Sequence, residues 1–380
     1  MVKKRFTLRA GAFFAVALGV FAAGAVAANV LLSVFAFVPA NSMALVLADS
    51  MPVFSSAVSD DAESLQLAKI SRVILGFDVS EPRTILQNQI ASIKFGIGLE
   101  ASGPQPTDAA VPTELPADMK PVIALDMHPD GGEGYLQAGG VMIKNHTTYT
   151  PDPTELLAQD LSFNLKESGP KVLITHAHSS EAYTPTDSDF YNPSDPSRTQ
   201  DMRYTVMHVG EEMAKVLNDM GISTVQDRAV HDYPSYNGSY KSSLAEIQKY
   251  LQEYPSIRVV LDVHRDAMQR DDGTRLKDVT EINDEKVAQI MLVTGTDQAG
   301  LSHPNWQSGL KFAMKWQSVM NSDYPRLTRA IDFRQERFNT HATLASVIVE
   351  VGSVANTLDE AVRGGKYAAE SLGKMLKTLI

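Results

Sequence analysis

Short apolar runs alternate with amphipathic segments through the C-terminal part of this chain, and this alternation limits the folds open to it. Runs rich in β-branched residues predict strands at 172–175, 223–226, 257–263, 290–294 and 344–351. Apolar residues at helical spacing predict helices at 203–220, 242–254, 306–320 and 358–379. The sequence therefore predicts an α/β fold, with a central, mostly parallel sheet flanked by helices on both faces.

Three of the predicted strands end in residues that can bind a metal or carry a proton. His178 and Glu181 follow the first strand as H-x-x-E, a spacing that lets an imidazole and a carboxylate turn onto one ion. His264 ends a strongly apolar strand, and Glu350 lies within another. In proteins with a parallel sheet, bound molecules lie at the carboxyl ends of the strands, so we expect these four side chains to meet there.

The residue types at this edge favour a hydrolytic zinc site. The chain has no cysteine, so a metal site must use His, Asp and Glu. His178, His264 and the acid ligand Glu181 would leave one zinc position open for water. Glu350 is then predicted to be the catalytic proton carrier, because a carboxylate within an apolar strand is costly to bury without a function or a partner. The predicted reaction is hydrolysis of an amide bond.

Other polar residues near the strand ends are predicted to support the ligands or contact the substrate. Asp262 or Asp266 is a candidate acceptor that fixes the tautomer of His264. Arg265 is a candidate partner for a substrate carboxylate.

Two further histidines complete the set of candidate residues. His176 precedes His178 by two positions, so we expect it to orient a ligand or the substrate, or to replace His178 as ligand. His231 begins a polar stretch that includes residues 235–240 and is expected to line the crevice.

The N-terminal part predicts attachment to a membrane. Basic residues up to Arg9 precede an apolar stretch over about 10–40, and a spanning helix needs only about 20 such residues. We expect residues 1–45 to be a cytoplasmic tail and single transmembrane anchor in the cell membrane, with the rest of the chain outside the cytoplasm. The alternative is a signal peptide cleaved after Ala27.

Composition divides the remainder into three parts. Residues 46–100 form a juxtamembrane region, residues 101–121 are a linker rich in proline and alanine, and residues 122–380 form the predicted catalytic domain. A net charge of −11 with no long basic run argues against a nucleic-acid partner.

Four ordered motifs resemble the stage II sporulation protein P family of peptidoglycan hydrolases, which act in forespore engulfment. They are V-L-I-T-H-A-H-S-S-E-A-Y (172–183), H-D-Y-P-S-Y-N-G-S-Y (231–240), V-V-L-D-V-H-R-D-A (259–267) and V-E-V-G-S-V-A-N-T-L-D-E-A (349–361). The family's usual H-T-H-T-S-E stands here as H-A-H-S-S-E, which keeps both histidines and the glutamate. The resemblance runs from about residue 140 to the C-terminus.

The resemblance implies a zinc amidase-like (phosphorylase/hydrolase-like) domain that cleaves the N-acetylmuramoyl-L-alanine bond and also peptide cross-links, as a DD-endopeptidase. It implies Zn2+ held by His178 and His264. The acid ligand stays open between Glu181, which we favour, and Asp201, which stands where zinc amidases place their ligand glutamate. The implied partners are the peptidoglycan substrate, a lytic transglycosylase (stage II sporulation protein D) and a membrane-embedded protein.

Two other functions use some of the same features. A metallocarboxypeptidase-like hydrolase of small amides would need the same ligands but no anchor or linker. A non-catalytic module that binds the cell wall would need the anchor but no complete site.

Overall fold

The computed structural model describes residues 115–131 and 134–380 of the chain. The strands in this part are β1 (Lys120–Leu125), β2 (Tyr135–Ala138), β3 (Val141–Asn145), β4 (Val172–Thr175), β5 (Phe190–Tyr191), β6 (Thr224–Gln226), β7 (Val259–Asp266), β8 (Arg275–Ile282), β9 (Glu285–Ala288), β10 (Ile290–Thr294), β11 (Ile331–Phe333) and β12 (Ala345–Ser353). The α-helices are α1 (Pro153–Ala158), α2 (Val206–Asp219), α3 (Ser239–Glu253), α4 (Trp306–Asp323) and α5 (Leu358–Lys377), and a 3-10 turn spans Met202–Tyr204.

The main sheet has the order β2-β3-β11-β10-β12-β7-β4-β6. The neighbours β12, β7, β4 and β6 run parallel to one another, and so do β10, β11 and β3. The two groups meet at the antiparallel pair β10–β12. The predicted α/β fold with a mostly parallel sheet is therefore confirmed, with the correction that the sheet is mixed.

The two faces of the sheet carry different side chains because successive strand residues point in opposite directions. On β7, Val259, Leu261 and Val263 belong to the large core formed with α2, α4 and α5. Val260 lies on the other face, in a smaller core with Ile247 of α3. Polar residues at the even-numbered positions of β7 therefore lie on the face that α3 covers only in part.

A second sheet, with the order β5-β1-β8-β9, was not predicted. Its hairpin β8–β9 closes with the two-residue turn Asn283–Asp284, and both residues have positive φ, at 55° and 62°. This is the backbone of a tight hairpin turn, which Asn and Asp tolerate better than other non-glycine residues. The strands escaped prediction because β8 alternates apolar and polar residues only irregularly.

The predicted anchor, the juxtamembrane region and most of the linker lie outside the described residues. Within 115–131 and 134–380, no helix combines the length and the apolar character needed to cross a bilayer. The domain boundaries stay predictions.

Two helical glycines provide a test of how closely the helices approach the strands beside them. A Cβ on Gly364 of α5 would lie 2.3 Å from the carbonyl oxygen of Ala288, whereas one on Gly309 of α4 would lie 3.6 Å from that of Ser346. We expect Gly364→Ala to lower the free energy of unfolding by about 1–3 kcal/mol through overpacking. Gly309→Ala should leave it unchanged or raise it by up to about 1 kcal/mol, because alanine favours the helix. Denaturant unfolding measures both, and a Gly364→Ala chain as stable as wild type would contradict the close packing of α5.

Candidate active site

The turn after β4 brings His178 and Glu181 to the carboxyl end of the sheet. Residues 177–180 form the turn, which the amide of Glu181 closes by donating to the carbonyl oxygen of His178 at 3.1 Å. The carboxylate of Asp232 holds the turn from outside, since it accepts from the Ser179 hydroxyl at 2.9 Å and the Ser180 hydroxyl at 2.6 Å. The turn is thus fixed by a residue distant in sequence.

Strand pairing places His264 beside Glu350. The two residues are partners in the parallel ladder between β7 and β12, so their side chains leave the same face of the sheet. The ladder becomes irregular directly after Glu350, where Gly352 has a φ of +65°. A Cβ there would lie 2.8 Å from both Ala288 and Asn356, so this irregularity requires glycine.

His178, Glu181, His264 and Glu350 form one buried cluster, and each is less than a tenth exposed. The rings of His178 and His264 meet edge to face, with centroids 5.1 Å apart. A carboxylate oxygen of Glu181 lies 3.4 Å from His264 Nδ1. On the other side of the ring, Asp262 Oδ1 lies 2.9 Å from His264 Nε2, although the two are not aligned for a hydrogen bond.

Opposite charges within this cluster shift the pKa values of His264 and Glu181 toward their charged forms. Burial opposes charging of His264, but the carboxylates of Asp262 and Glu181 outweigh it and hold its pKa well above the ordinary value. Burial likewise opposes ionisation of Glu181. The hydrogen bond with His264, then the guanidinium groups of Arg265 and Arg198, nevertheless lower the pKa of Glu181. Glu181 is therefore a carboxylate that is able to bind a cation.

For the two remaining members, His178 and Glu350, burial outweighs the nearby charges and favours the neutral form. It lowers the pKa of His178 to about 4, so the imidazole is neutral, which is the form that binds a metal. It raises the pKa of Glu350 well above the ordinary value. Glu350 Oε2 is buried without a hydrogen-bond partner. The carboxyl of Glu350 is thus the group in the cluster best suited to exchange a proton.

The donor set of this cluster fits zinc by its chemistry. Two imidazoles and one carboxylate are the ligands of many catalytic zinc sites. Buried polar atoms without hydrogen-bond partners, His264 Nε2 and Asp262 Oδ2, lie at the same place. Among the described residues, however, no group of three or more His, Cys, Asp or Glu side chains already has the spacing of a metal site. His178, Glu181 and His264 are the residues that could hold the ion.

His176, the predicted replacement for His178 as ligand, lies outside this cluster. Its Nδ1 lies 3.0 Å from the carbonyl oxygen of Val263, and its Nε2 lies 3.0 Å from the side-chain amide of Gln226. The ring packs against α2, where a Cβ on Gly210 would lie 2.6 Å from it. His176 and His178 point apart because the chain leaves the extended conformation between them.

The two candidate acceptors for His264 have different surroundings. Asp262 lies beside the ring and accepts from the amide of Ala177 at 2.8 Å, which joins β7 to the turn after β4. Asp266 instead pairs with Arg329, at 2.9 Å. The structure thus brings Asp262, and not Asp266, against His264.

Arg265 and His231 support the surrounding chain. The buried guanidinium of Arg265 donates to the carbonyl oxygens of Ala182 and Ser197, at 2.9 and 2.8 Å. Arg265 therefore closes the loop between these residues, and its donors point to backbone oxygens rather than to an open crevice. His231 Nε2 lies 2.7 Å from Asp227, which places His231 beneath the turn and outside the cluster.

The alternative acid ligand, Asp201, lies at the surface. Its carboxylate caps the 3-10 turn and pairs with Arg203 at 2.6 Å. Glu181, by contrast, contacts His264 directly. The geometry thus favours Glu181 over Asp201.

Three further residues complete the cluster and were not singled out from the sequence. Arg198 forms salt bridges with Glu181 at 3.2 Å and with Asp232 at 3.0 Å. The Tyr236 hydroxyl forms a hydrogen bond with His178 Nε2 at 2.9 Å, and the ring of Tyr240 stacks parallel to His264 with centroids 6.1 Å apart. Both tyrosines lie in the polar stretch that was expected to line the crevice, whereas Arg198 lies in a polar run without a recognisable pattern.

Comparisons with solved structures find N-acetylmuramoyl-L-alanine amidases at low similarity. The amidase of Nostoc punctiforme is 13% identical with a TM-score of 0.31, over 56% of this chain and 98% of that one. The amidase of Clostridium difficile 630 is 14% identical with a TM-score of 0.29, over 55% of this chain and 96% of that one.

Sequence comparison identifies a family. The stage II sporulation protein P of Bacillus subtilis (strain 168) is 22% identical over 335 residues, which cover 85% of this chain and 77% of that protein. The family model described as stage II sporulation protein P matches residues 80–373. Since this match covers well over half of the sequence, the chain belongs to the stage II sporulation protein P family.

Proposed function

We propose that this protein is a zinc-dependent peptidoglycan hydrolase that cleaves the amide bond between N-acetylmuramic acid and L-alanine. The observation that carries the proposal is the buried cluster of His178, Glu181 and His264 beside Glu350. His178, Glu181 and His264 would hold the zinc. When bound, zinc polarises the amide carbonyl and makes water a better nucleophile near neutral pH.

Glu350 is assigned the proton transfers of the reaction. It takes a proton from the attacking water as the water oxygen bonds to the carbonyl carbon. It then gives this proton to the amide nitrogen as the carbon–nitrogen bond breaks, so that a carboxylic acid and a free amine result. The uncommitted Oε2 and the elevated pKa of Glu350 both suit a group that must accept and release a proton.

The surrounding charges hold the ligands in place. Asp262 is fixed by the Ala177 amide and faces His264, so it orients that imidazole. Arg198 holds Glu181 from outside. Because Asp262 is buried, displacement of His264 would leave its charge uncompensated.

The wider setting is proposed from the family and from the N-terminal sequence. We expect the full protein to be anchored in the cell membrane and to act on peptidoglycan during engulfment. Cleavage of peptide cross-links at the same site is part of the proposal, as is work alongside a lytic transglycosylase, stage II sporulation protein D, and a membrane-embedded partner.

The first test is hydrolysis of purified peptidoglycan by the full chain, with and without a chelator. We expect release of stem peptides with a new L-alanine amino terminus, loss of this activity after chelation, and recovery on addition of zinc. Binding without products would indicate a cell-wall-binding module instead. Turnover of small soluble amides alone would indicate a carboxypeptidase-like hydrolase.

Glu350→Gln tests the proton carrier. We expect the rate to fall by about 10²–10⁴-fold, the usual contribution of a general acid–base group, because glutamine fills the same space but cannot exchange the proton. Zinc content and thermal unfolding should match the wild type. Retained turnover in this variant would disprove the role assigned to Glu350.

The acid ligand is tested by comparing Glu181→Gln with Asp201→Asn. Elemental analysis after dialysis should find less zinc in Glu181→Gln, as in His178→Ala and His264→Ala, because each change removes a ligand. Asp201→Asn serves as the matched control and should keep its zinc, since Asp201 is paired with Arg203 at the surface. The reverse result would exchange the two assignments.

A further inference from the structure

The hydroxyl of Tyr240 is buried at the cluster without a hydrogen-bond partner. The ring lies parallel to that of His264 and meets that of His178 edge on, with centroids 5.3 Å apart. A phenylalanine would make the same ring contacts without the cost of taking a hydroxyl out of water. Packing alone therefore does not explain why this position carries a tyrosine.

The ring of Tyr240 is held firmly against the sheet. Tyr240 is the second residue of α3, and its carbonyl oxygen accepts from the side-chain amide of Asn339 at 2.9 Å. The ring of Phe338 packs against it with centroids 5.6 Å apart. These contacts involve the backbone and the ring of Tyr240, so they fix the place of the hydroxyl without using its proton.

The neighbouring tyrosine differs in this respect. The hydroxyl of Tyr236 already forms a hydrogen bond with His178 Nε2 at 2.9 Å, and its ring lies under the guanidinium of Arg198. Of these two phenols at the cluster, Tyr240 is thus the one whose hydroxyl has no hydrogen-bond partner.

We propose that Tyr240 is a catalytic residue whose hydroxyl donates a hydrogen bond to the carbonyl oxygen of the scissile amide. Negative charge develops on this oxygen as water adds to the carbonyl carbon, and a fixed donor in a buried site stabilises that charge more than it stabilises the neutral substrate. The hydroxyl keeps its proton throughout, and Glu350 carries the transferred one. This inference rests on the proposed hydrolysis of the amide.

The test is the Tyr240→Phe variant of the full chain, assayed on a soluble N-acetylmuramoyl peptide. We expect kcat to fall by about 10²–10³-fold, as for loss of one oxyanion donor elsewhere, with little change in KM. Tyr250→Phe is the matched control, because it makes the same change on the same helix, where the hydroxyl faces the carbonyl oxygen of Gln226. The control should keep the wild-type kcat.

Stability separates a catalytic hydroxyl from a structural one. Since the Tyr240 hydroxyl has no partner, Tyr240→Phe should unfold at the same temperature as wild type or higher, and should bind as much zinc. A clearly lower unfolding temperature, or an unchanged kcat in an active enzyme, would each overturn the inference. A wild-type chain that does not cleave the substrate would instead refute the proposed function, and this inference with it.

Discussion

The parallel pairing of β7 with β12 and β4 is the contact on which the site depends. It sets His264 beside Glu350 across one ladder, and it sets Asp262 beside Thr175 across the other. Since paired residues leave the same face of a sheet, a shift of one residue in either ladder would turn one side chain of each pair to the opposite face. The apolar residues between them prevent such a shift, because Val263 and Val349 would lose their places in the main core.

Burial gives the cluster its chemical character. The same desolvation that lowers the pKa of His178 and raises that of Glu350 would also oppose a charge on Glu181 or on His264. The cost is offset because Glu181 and His264 lie against each other, and Arg198 pairs with Glu181 at the outer side. One small region thus contains a carboxylate suited to a cation and a carboxyl suited to a proton, although the residue type is the same.

Segments distant in sequence complete the site from outside the sheet. Asp232 fixes the turn that presents His178, and Arg265 closes the loop between Ala182 and Ser197. Tyr240 covers His264 from the start of α3. The sheet and the turn after β4 accordingly supply the members of the cluster, while the connecting segments hold them in place.

The sequence by itself determined the alternation of strands and helices and the edge at which His178, His264 and Glu350 meet, because the spacing of apolar residues is a local property. Only the tertiary structure placed Glu181, and not Asp201, against His264, turned His176 away from the cluster, and brought Arg198 to Glu181. The antiparallel pairing of β10 with β12 and the second sheet likewise appear only in the tertiary structure. These outcomes depend on turns held by distant carboxylates and guanidinium groups, and such long-range contacts leave no periodic pattern in the chain.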